Sequence, residues 1–472
     1  MSSSAATTGA SPDPPYDLVV AGGTVVTSSS RSVADVGVRD GRIVQIGGPM
    51  TGRRTIDATG RFLFPGGVDM HVHLTPAEPG GEGARWADDF VSGSRAAAAG
   101  GVTTIGNITF PLPGERLPEL VQRVGAEARG SSLVDFVLHP VLLDPDEGAP
   151  DDIAALAAAG HTSVKIFTAF SDFDARAGDY LRALTAAGRH GVLTMVHCED
   201  ATIIDHVTAQ LLAAGLGSLA HYGQSRPARS EEVAVARMIS FAAVADAPIY
   251  LVHLGSAAAL DLTRAAQGQG QRVYVETRPI YLYFTDDRFA DDDAALYVGN
   301  PPLRGAADQA ALWTGLAAGH IQTCCTDHAA WTAADKRDPS LTIATARPGM
   351  SDLETLMPIL YSEGVRTGRL SLERFVEVTS TNAAKLFGLY PQKGTIAVGS
   401  DADLVVWDPD TTRRVVGAQG QSRSGYSLYE GWEVSGCPAV TISRGEVVYA
   451  DGEVIGEAGR GRLVPRDPTR RL

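Results

Sequence analysis

Eight short apolar runs, separated for the most part by stretches of helical composition, constrain this chain more than any other feature. They cover residues 68–73, 102–107, 135–139, 163–167, 192–197, 249–253, 272–276 and 322–326. Runs of this length, rich in Val and Ile and bounded by polar or glycine-containing segments, read as buried strands of a parallel sheet. The intervening segments are rich in Ala, Leu, Glu and Arg. In one, residues 151–159, an aspartate at the start is the expected N-cap and Gly160 is the expected C′ residue. In another, residues 231–244, apolar side chains recur at helical spacing. Eight βα repeats predict an α/β fold, a (β/α)8 TIM barrel, over residues 66–392.

The two ends of the chain share a different texture. Residues 17–20 and 23–26 are β-rich, and 36–46 carries Asp40-Gly41, a hairpin-turn signal between apolar runs. Similar short strands return only at 394–396, 403–407 and 441–449. Neither end alone has enough strands for a stable sheet. The expected organisation is therefore one small β-sandwich built from 16–65 and 393–457, with the barrel inserted between the two parts and a polar, basic tail over 458–472. Residues 1–15, rich in Ser, Ala, Thr and Pro, lack both a basic n-region and an apolar h-region, and are expected to be a disordered leader.

A barrel of this kind places its chemistry at the C-terminal ends of its strands, and six metal-binding side chains fall there. His71 and His73 close the first run, Lys165 lies in the fourth, His197 ends the fifth, His253 ends the sixth and Asp327 follows the eighth. Residues two apart on a strand point to the same side, so His71 and His73 share one space. Each alone has an ordinary alternative: a hydrogen-bonded core histidine, a helix-capping aspartate, an interior lysine paired to a carboxylate. Their convergence on one mouth points to a metal site.

The residues that carry this pattern are Val68-Asp69-Met70-His71-Val72-His73-Leu74, Val164-Lys165-Ile166-Phe167, Val196-His197-Cys198-Glu199, Leu251-Val252-His253 and Thr326-Asp327-His328. With Glu276-Thr277-Arg278-Pro279, Asn300-Pro301-Pro302-Leu303-Arg304 and Ser380-Thr381-Asn382-Ala383-Ala384-Lys385, they resemble the binuclear amidohydrolase superfamily. The resemblance spans residues 16–466 and is to the branch of dihydropyrimidinases, hydantoinases, allantoinases and dihydroorotases. It implies two divalent metal ions, zinc or alternatively manganese, with His71, His73 and Asp327 on one and His197 and His253 on the other. It further implies Lys165, carboxylated on its amine, as the bridge between them. It implies hydrolysis of a cyclic amide by a metal-bridging hydroxide, with Asp327 as the base that moves the proton. Relatives in this branch are commonly tetramers, so a homo-oligomer, dimer or tetramer, is expected. An allantoinase-like or cyclic-imide activity is the alternative reaction. A non-catalytic scaffold, as in relatives that have lost their ligands, is disfavoured because all six are present here.

Several positions depart from the branch. Phe170 stands five residues after Lys165, where hydantoinases and dihydropyrimidinases carry a tyrosine that stabilises the oxyanion; Tyr281 or Tyr297 is the expected substitute donor. Thr75 and Phe110 occupy the places of the carboxylate-binding arginine and asparagine of dihydroorotases, which argues against that chemistry. Relatives grip the substrate amide through main-chain groups of two loops, which correspond here to Asn300 and to Pro348-Gly349; Pro348 has no N–H and offers only its carbonyl. Arg278 replaces a common cysteine and is expected to pair either with an anionic substituent of the substrate or with a loop carboxylate such as Asp286 or Asp287. Two long connections, 281–303 and 328–353, are expected to roof the site, with Trp331 and Phe170 forming an aromatic wall.

Composition closes off other classes. A net charge of -15 lacks the basic footprint that nucleic acid or an anionic membrane surface needs, leaving a small-molecule partner. No apolar run is long enough to span a bilayer. Cys198, Cys324, Cys325 and Cys437 have no zinc-ribbon or disulfide spacing and read as buried thiols, which with the leader's composition places the protein in the cytoplasm.

Overall fold

The computed structural model describes residues 15–75, 85–170, 172–469 and 472; the expected leader falls almost wholly outside them. The eight expected barrel strands are all present: Gly67–Val72, Val102–Thr109, Asp135–Pro140, Ser163–Phe167, Leu193–His197, Ile249–Leu251, Val273–Thr277 and Thr323–Cys324. Every pairing among them is parallel. The first three form one sheet and the last five another. Single parallel bridges, Val141 to Lys165 and Val72 to His328, join the two sheets and close the ring. Val68, Met70, Ile108, Val137, Leu193, Met195, Tyr250 and Tyr274 from around this ring pack together with Ala383, Leu386 and Phe387, so the barrel is a filled core rather than a channel.

The helices begin and end where local chemistry dictates. Ala228–Ala245 contains the expected amphipathic segment. The helix expected to be capped by Asp151 starts earlier, at Ala149–Ala158 with Gly148 at its N-cap. Pro150, whose fixed φ suits a first turn, sets that start, and Asp151 and Asp152 face the positive end of the helix dipole. Gly160 does take the left-handed conformation beyond the helix, at φ +80°.

The chain ends meet in one nine-stranded sheet. Tyr16–Val26, Arg31–Arg39, Arg42–Ile46, Gly52–Asp57 and Phe62–Pro65 come from the first part; Leu404–Arg414, Glu433–Ser443, Glu446–Ala450 and Glu453–Val454 come from the second. Phe62–Pro65 runs antiparallel to Leu404–Trp407, and this seam makes the two ends one unit. The Asp40-Gly41 turn forms as expected, with φ +51° and +74°. Two expectations are corrected. Residues 17–26 are one strand with a register break between Val20 and Gly23, which lets it pair Gly52–Asp57 with one half and Phe62–Pro65 with the other. Residues 394–396 are not a strand, although Ile396 is buried in the same core as Leu18, Val36, Leu404 and Ile442. Hydrogen bonding is continuous across all nine strands, so the β-domain expected from the two chain ends is built as one sheet packed on that core.

Charge and chain both tie this sheet to the barrel. The buried Lys393 ammonium lies 2.6 Å from Asp135 on the third barrel strand, 2.6 Å from Asp403 and 3.0 Å from Asp401. Arg444 adds a second cation, 3.0 Å from Asp135. The acidic trio is thus neutralised by the protein's own side chains. The tail is not a free arm: the Phe136 N–H donates to the Arg462 carbonyl at 2.9 Å, the Val464 N–H donates to the Phe136 carbonyl at 3.0 Å, and buried Arg466 donates to Ser163 at 2.8 Å. No helix among the described residues is long and apolar enough to cross a membrane.

Candidate metal centre and active-site cavity

All six candidate donors converge at the C-terminal mouth of the barrel. His71 Nε2 lies 3.1 Å and His73 Nε2 3.0 Å from the same Asp327 oxygen, Oδ1. Lys165 Nζ is 3.4 Å from His71 Nε2. On the adjoining strands, His197 Nδ1 and His253 Nε2 face each other at 2.9 Å. Carboxylates behind the rings fix their orientation: Glu276 on His71 Nδ1 at 2.7 Å and Glu199 on His197 Nε2 at 2.9 Å. Asp69 accepts from Thr326 Oγ1 at 2.6 Å and from the His71 N–H at 3.1 Å, locking the first strand to the eighth. His253 and Asp327 hold left-handed backbones, at φ +39° and +51°, a conformation rare outside glycine and found where function requires a fixed side chain.

Burial sets the protonation of this cluster. It holds the His73 imidazole down to about 4 and that of His253 well below its ordinary value. It also lowers the Lys165 ammonium to about 8, which brings the neutral amine within reach. Burial pushes the Asp327 carboxyl up, but His71, Arg278 and His73 outweigh it, and the group stays ionised. His73 and His253 are thereby neutral and Asp327 is anionic, the protonation states that ligands must have. His71, His73 and Asp327 bring their donor atoms within 4.8 Å of one another, and the buried Nδ1 atoms of His73 and His253 have no partner among the described residues. Lone pairs crowded in this way repel unless a cation sits among them, so the donor set fits divalent metal. Nitrogen and oxygen donors without thiolate suit zinc or manganese.

Above the donors opens a cavity of about 280 Å³. One side is aromatic: Trp86, Phe110, Phe167 and Phe170, with centroids of successive rings 5.0–6.2 Å apart. Arg226, Asn300, Ala329, Pro348 and Gly349 line the rest. Of these, Phe170, Asn300, Pro348 and Gly349 are where the sequence places them. Trp86, Phe167 and Arg226 were not singled out, since no spacing rule marks a pocket lining. Glu199 and Glu276 stood in quoted motifs, but their role behind the histidines shows only in three dimensions.

Four expectations change. Arg278 reaches neither Asp286 nor Asp287 and does not line the cavity. It is wholly buried, with Nη1 3.0 Å from Asp327 Oδ2, Nε donating to the Thr326 carbonyl at 2.9 Å and Nη2 3.6 Å from Asp352. Thr326 and Asp327, just after the eighth strand, and Asp352 surround its guanidinium, and the contact to Asp327 fixes the rotation of that carboxylate. Neither tyrosine stands in for the missing hydroxyl at Phe170: Tyr281 donates to the Pro301 carbonyl at 2.6 Å, and Tyr297 packs on Phe284 and Arg288. Trp331 stands one layer behind the wall, beside Trp86, and donates to the Pro348 carbonyl at 2.8 Å. The two roofing connections, whose sequence shows no clear secondary structure, contain short helical segments: the end of Pro279–Tyr283, Asp286–Ala290 and Ala294–Tyr297 in the first and Ala333–Lys336 in the second.

Lys336 ends the last of these segments and is buried. Its ammonium donates to the carbonyls of Val298 at 2.7 Å, Gly349 at 2.8 Å and Arg347 at 3.0 Å, using all three of its protons to tie the two cavity loops together. Gly349 N–H donates to the Val298 carbonyl at 3.1 Å. The Pro348-Gly349 turn therefore has its one N–H and both carbonyls already engaged. Gly349 itself sits at φ +121°, and a Cβ there would collide with the Ala329 carbonyl.

Comparison with known proteins agrees with this geometry. A profile of the amidohydrolase family matches residues 62–448. The D-hydantoinase of Ralstonia pickettii is 37% identical over 455 residues, covering 95% of this chain and 99% of the relative. Among solved structures, the D-hydantoinase of Bacillus sp. AR9 superposes with a TM-score of 0.92 at 36% identity, covering 96% of this chain and 100% of the other. The dihydropyrimidinase of Brevibacillus agri gives 0.91 at 35% identity, with 96% and 99% covered. The chain belongs to the amidohydrolase family, on the branch of the hydantoinases and dihydropyrimidinases.

Proposed function

We propose that this protein is a metal-dependent hydrolase that opens a cyclic amide, with a hydantoin- or dihydropyrimidine-like ring as substrate. The observation that carries the reading is the convergence of His71, His73, Lys165, His197, His253 and Asp327 on the floor of one aromatic-walled cavity. His71, His73 and Asp327 would hold one metal and His197 and His253 the other, with carboxylated Lys165 between them. The same reading carries zinc, or manganese, as the metal and a homo-oligomer, dimer or tetramer, as the assembly. Two bound divalent cations lower the pKa of a shared water and polarise an amide carbonyl.

The chain's own residues do the rest. Asp327, kept ionised and in place by Arg278, takes the proton of the attacking water and delivers it to the departing ring nitrogen. Water's oxygen ends on the carbonyl carbon, the C–N bond breaks, and the product is an acid. The rings of Trp86, Phe110, Phe167 and Phe170 exclude water and accept a flat ring with an apolar substituent. A cyclic imide is the second reading, and the Pro348-Gly349 turn favours it. With that turn's carbonyls already engaged, a ring without a second N–H leaves less unpaired on binding. The experiment is proton release by the zinc- or manganese-loaded protein against dihydrouracil, hydantoin, 5-phenylhydantoin, allantoin, dihydroorotate and succinimide. Opening of hydantoins or dihydrouracil is expected; opening of succinimide alone supports the imide, and opening of none removes the proposal.

A further inference from the structure

Arg226 is, among the described residues, the one charged side chain lining the cavity outside the six metal-site donors. It follows the short helix Tyr222–Ser225, and Arg304 anchors its backbone by donating to its carbonyl at 2.6 Å. Its Nε donates to Glu199 Oε1 at 3.0 Å and its Nη2 to Glu199 Oε2 at 2.6 Å, a fork that fixes the guanidinium plane. Glu199 is the carboxylate that orients His197. Two of the three guanidinium nitrogens are thus spent on this clamp. Nη1 is not needed for it and has no protein partner among the described residues.

The rest of the lining makes that atom informative. Phe110, Phe167 and Phe170 cannot donate, the Tyr281 hydroxyl is spent on the Pro301 carbonyl, and the Gly349 N–H is engaged; the Trp86 indole N–H and the Asn300 amide are the neutral donors of the lining, and Arg226 is its cationic one. A reaction that adds water to an amide carbonyl moves the carbonyl π electrons onto oxygen and returns them when the C–N bond breaks. A fixed cationic N–H in a largely apolar cavity stabilises that oxygen more in the transition state than in the ground state.

Resting on the function proposed above, we infer that Arg226 Nη1 is the protein's hydrogen-bond donor to the carbonyl oxygen that becomes the oxyanion. The competing role is positional: Arg226 would act only through Glu199 and His197 on metal binding. The test uses the full-length, metal-loaded protein and whichever ring of the panel the wild type opens, with metal content measured beside kcat and KM. In Arg226→Met, kcat is expected to fall by about 10²- to 10³-fold with KM and metal content close to wild type. Guanidinium ion added to the solution is expected to restore part of the loss. Arg226→Gln, which keeps a donor for Glu199, is expected to show the same kcat loss and covers the case in which the Met variant does not fold. A kcat within threefold of wild type overturns the inference. So does a loss that tracks missing metal and is fully recovered by excess metal. No turnover by the wild type on any ring overturns the proposed function and this inference together, whereas full turnover by the Arg226 variants overturns this inference alone.

Discussion

Both carboxylate oxygens of Asp327 are committed, Oδ1 to the side of His71 and His73 and Oδ2 to Arg278, on a backbone held at φ +51°. Strain of this kind costs of the order of 1–3 kcal/mol and persists only where surrounding contacts enforce it. Asp327→Asn keeps the shape and removes the proposed base, so metal content is expected to stay largely intact while turnover drops by about 10²- to 10⁴-fold. Near-normal turnover would remove Asp327 from the proton-transfer role. Lys165→Ala is expected to lose both metal and activity, with partial recovery in the presence of a short carboxylic acid if the bridge is a carbamate. Arg278→Met leaves the Asp327 and Asp352 carboxylates buried without their cation. Removing one partner of such a group costs roughly 3–5 kcal/mol, and a lowered unfolding midpoint in denaturant checks it. An unchanged midpoint would mean that Arg278 contributes nothing net.

Strands were far more legible than loops. Each barrel strand, and the candidate metal donors on or just after five of them, could be placed because buried parallel strands require unbroken apolar runs and the fold puts function at their ends. Glycine and aspartate marked turns such as Asp40-Gly41 for equally local reasons. Arg226, Trp86 and Lys336 were not legible in their roles, because each acts through partners far along the chain or on another connection. For Arg278 the carboxylate pairing was legible but the partners were not: Asp327 lies 49 residues on and is brought close by the pairing of the seventh and eighth strands, and Asp352 lies further along the chain still. At this scale Lys336 makes the sharpest claim. Lys336→Met leaves the Arg347 and Gly349 carbonyls without this donor, and the 298–301 and 347–350 loops keep the Gly349 N–H to Val298 carbonyl bond but lose the ammonium that reinforces it. KM for the preferred ring is expected to rise more than kcat falls, because these loops shape binding rather than chemistry. A pure kcat effect would place Lys336 in the chemistry instead.

The whole molecule depends on polar seams between the barrel and the sheet built from both chain ends. Lys393 is the centre of one, and Lys393→Met strands Asp135, Asp401 and Asp403 together. Asp88 is the centre of another: it accepts from His328 Nε2 at 2.9 Å, from the Arg423 N–H at 2.8 Å and from Ser422, joining the metal-site end of the barrel to the C-terminal part. Burial raises the Asp88 carboxyl, but these partners outweigh it and hold it at about 2, below its ordinary 3.8. Its stabilising contribution is present above pH 3.8 and is lost as pH falls towards 2. Asp88→Asn is expected to flatten that part of the acid-unfolding curve. An unaltered curve would assign acid sensitivity to other carboxylates. The central claim is that the strand-end cluster holds the metals that open the ring, and titrating chelator-stripped protein with zinc while following ring opening tests it most directly. Turnover is expected to be absent without metal and to reach its plateau at two equivalents per chain; full turnover by the stripped protein, or a metal-loaded plateau that survives loss of His71 and His253, would contradict the account.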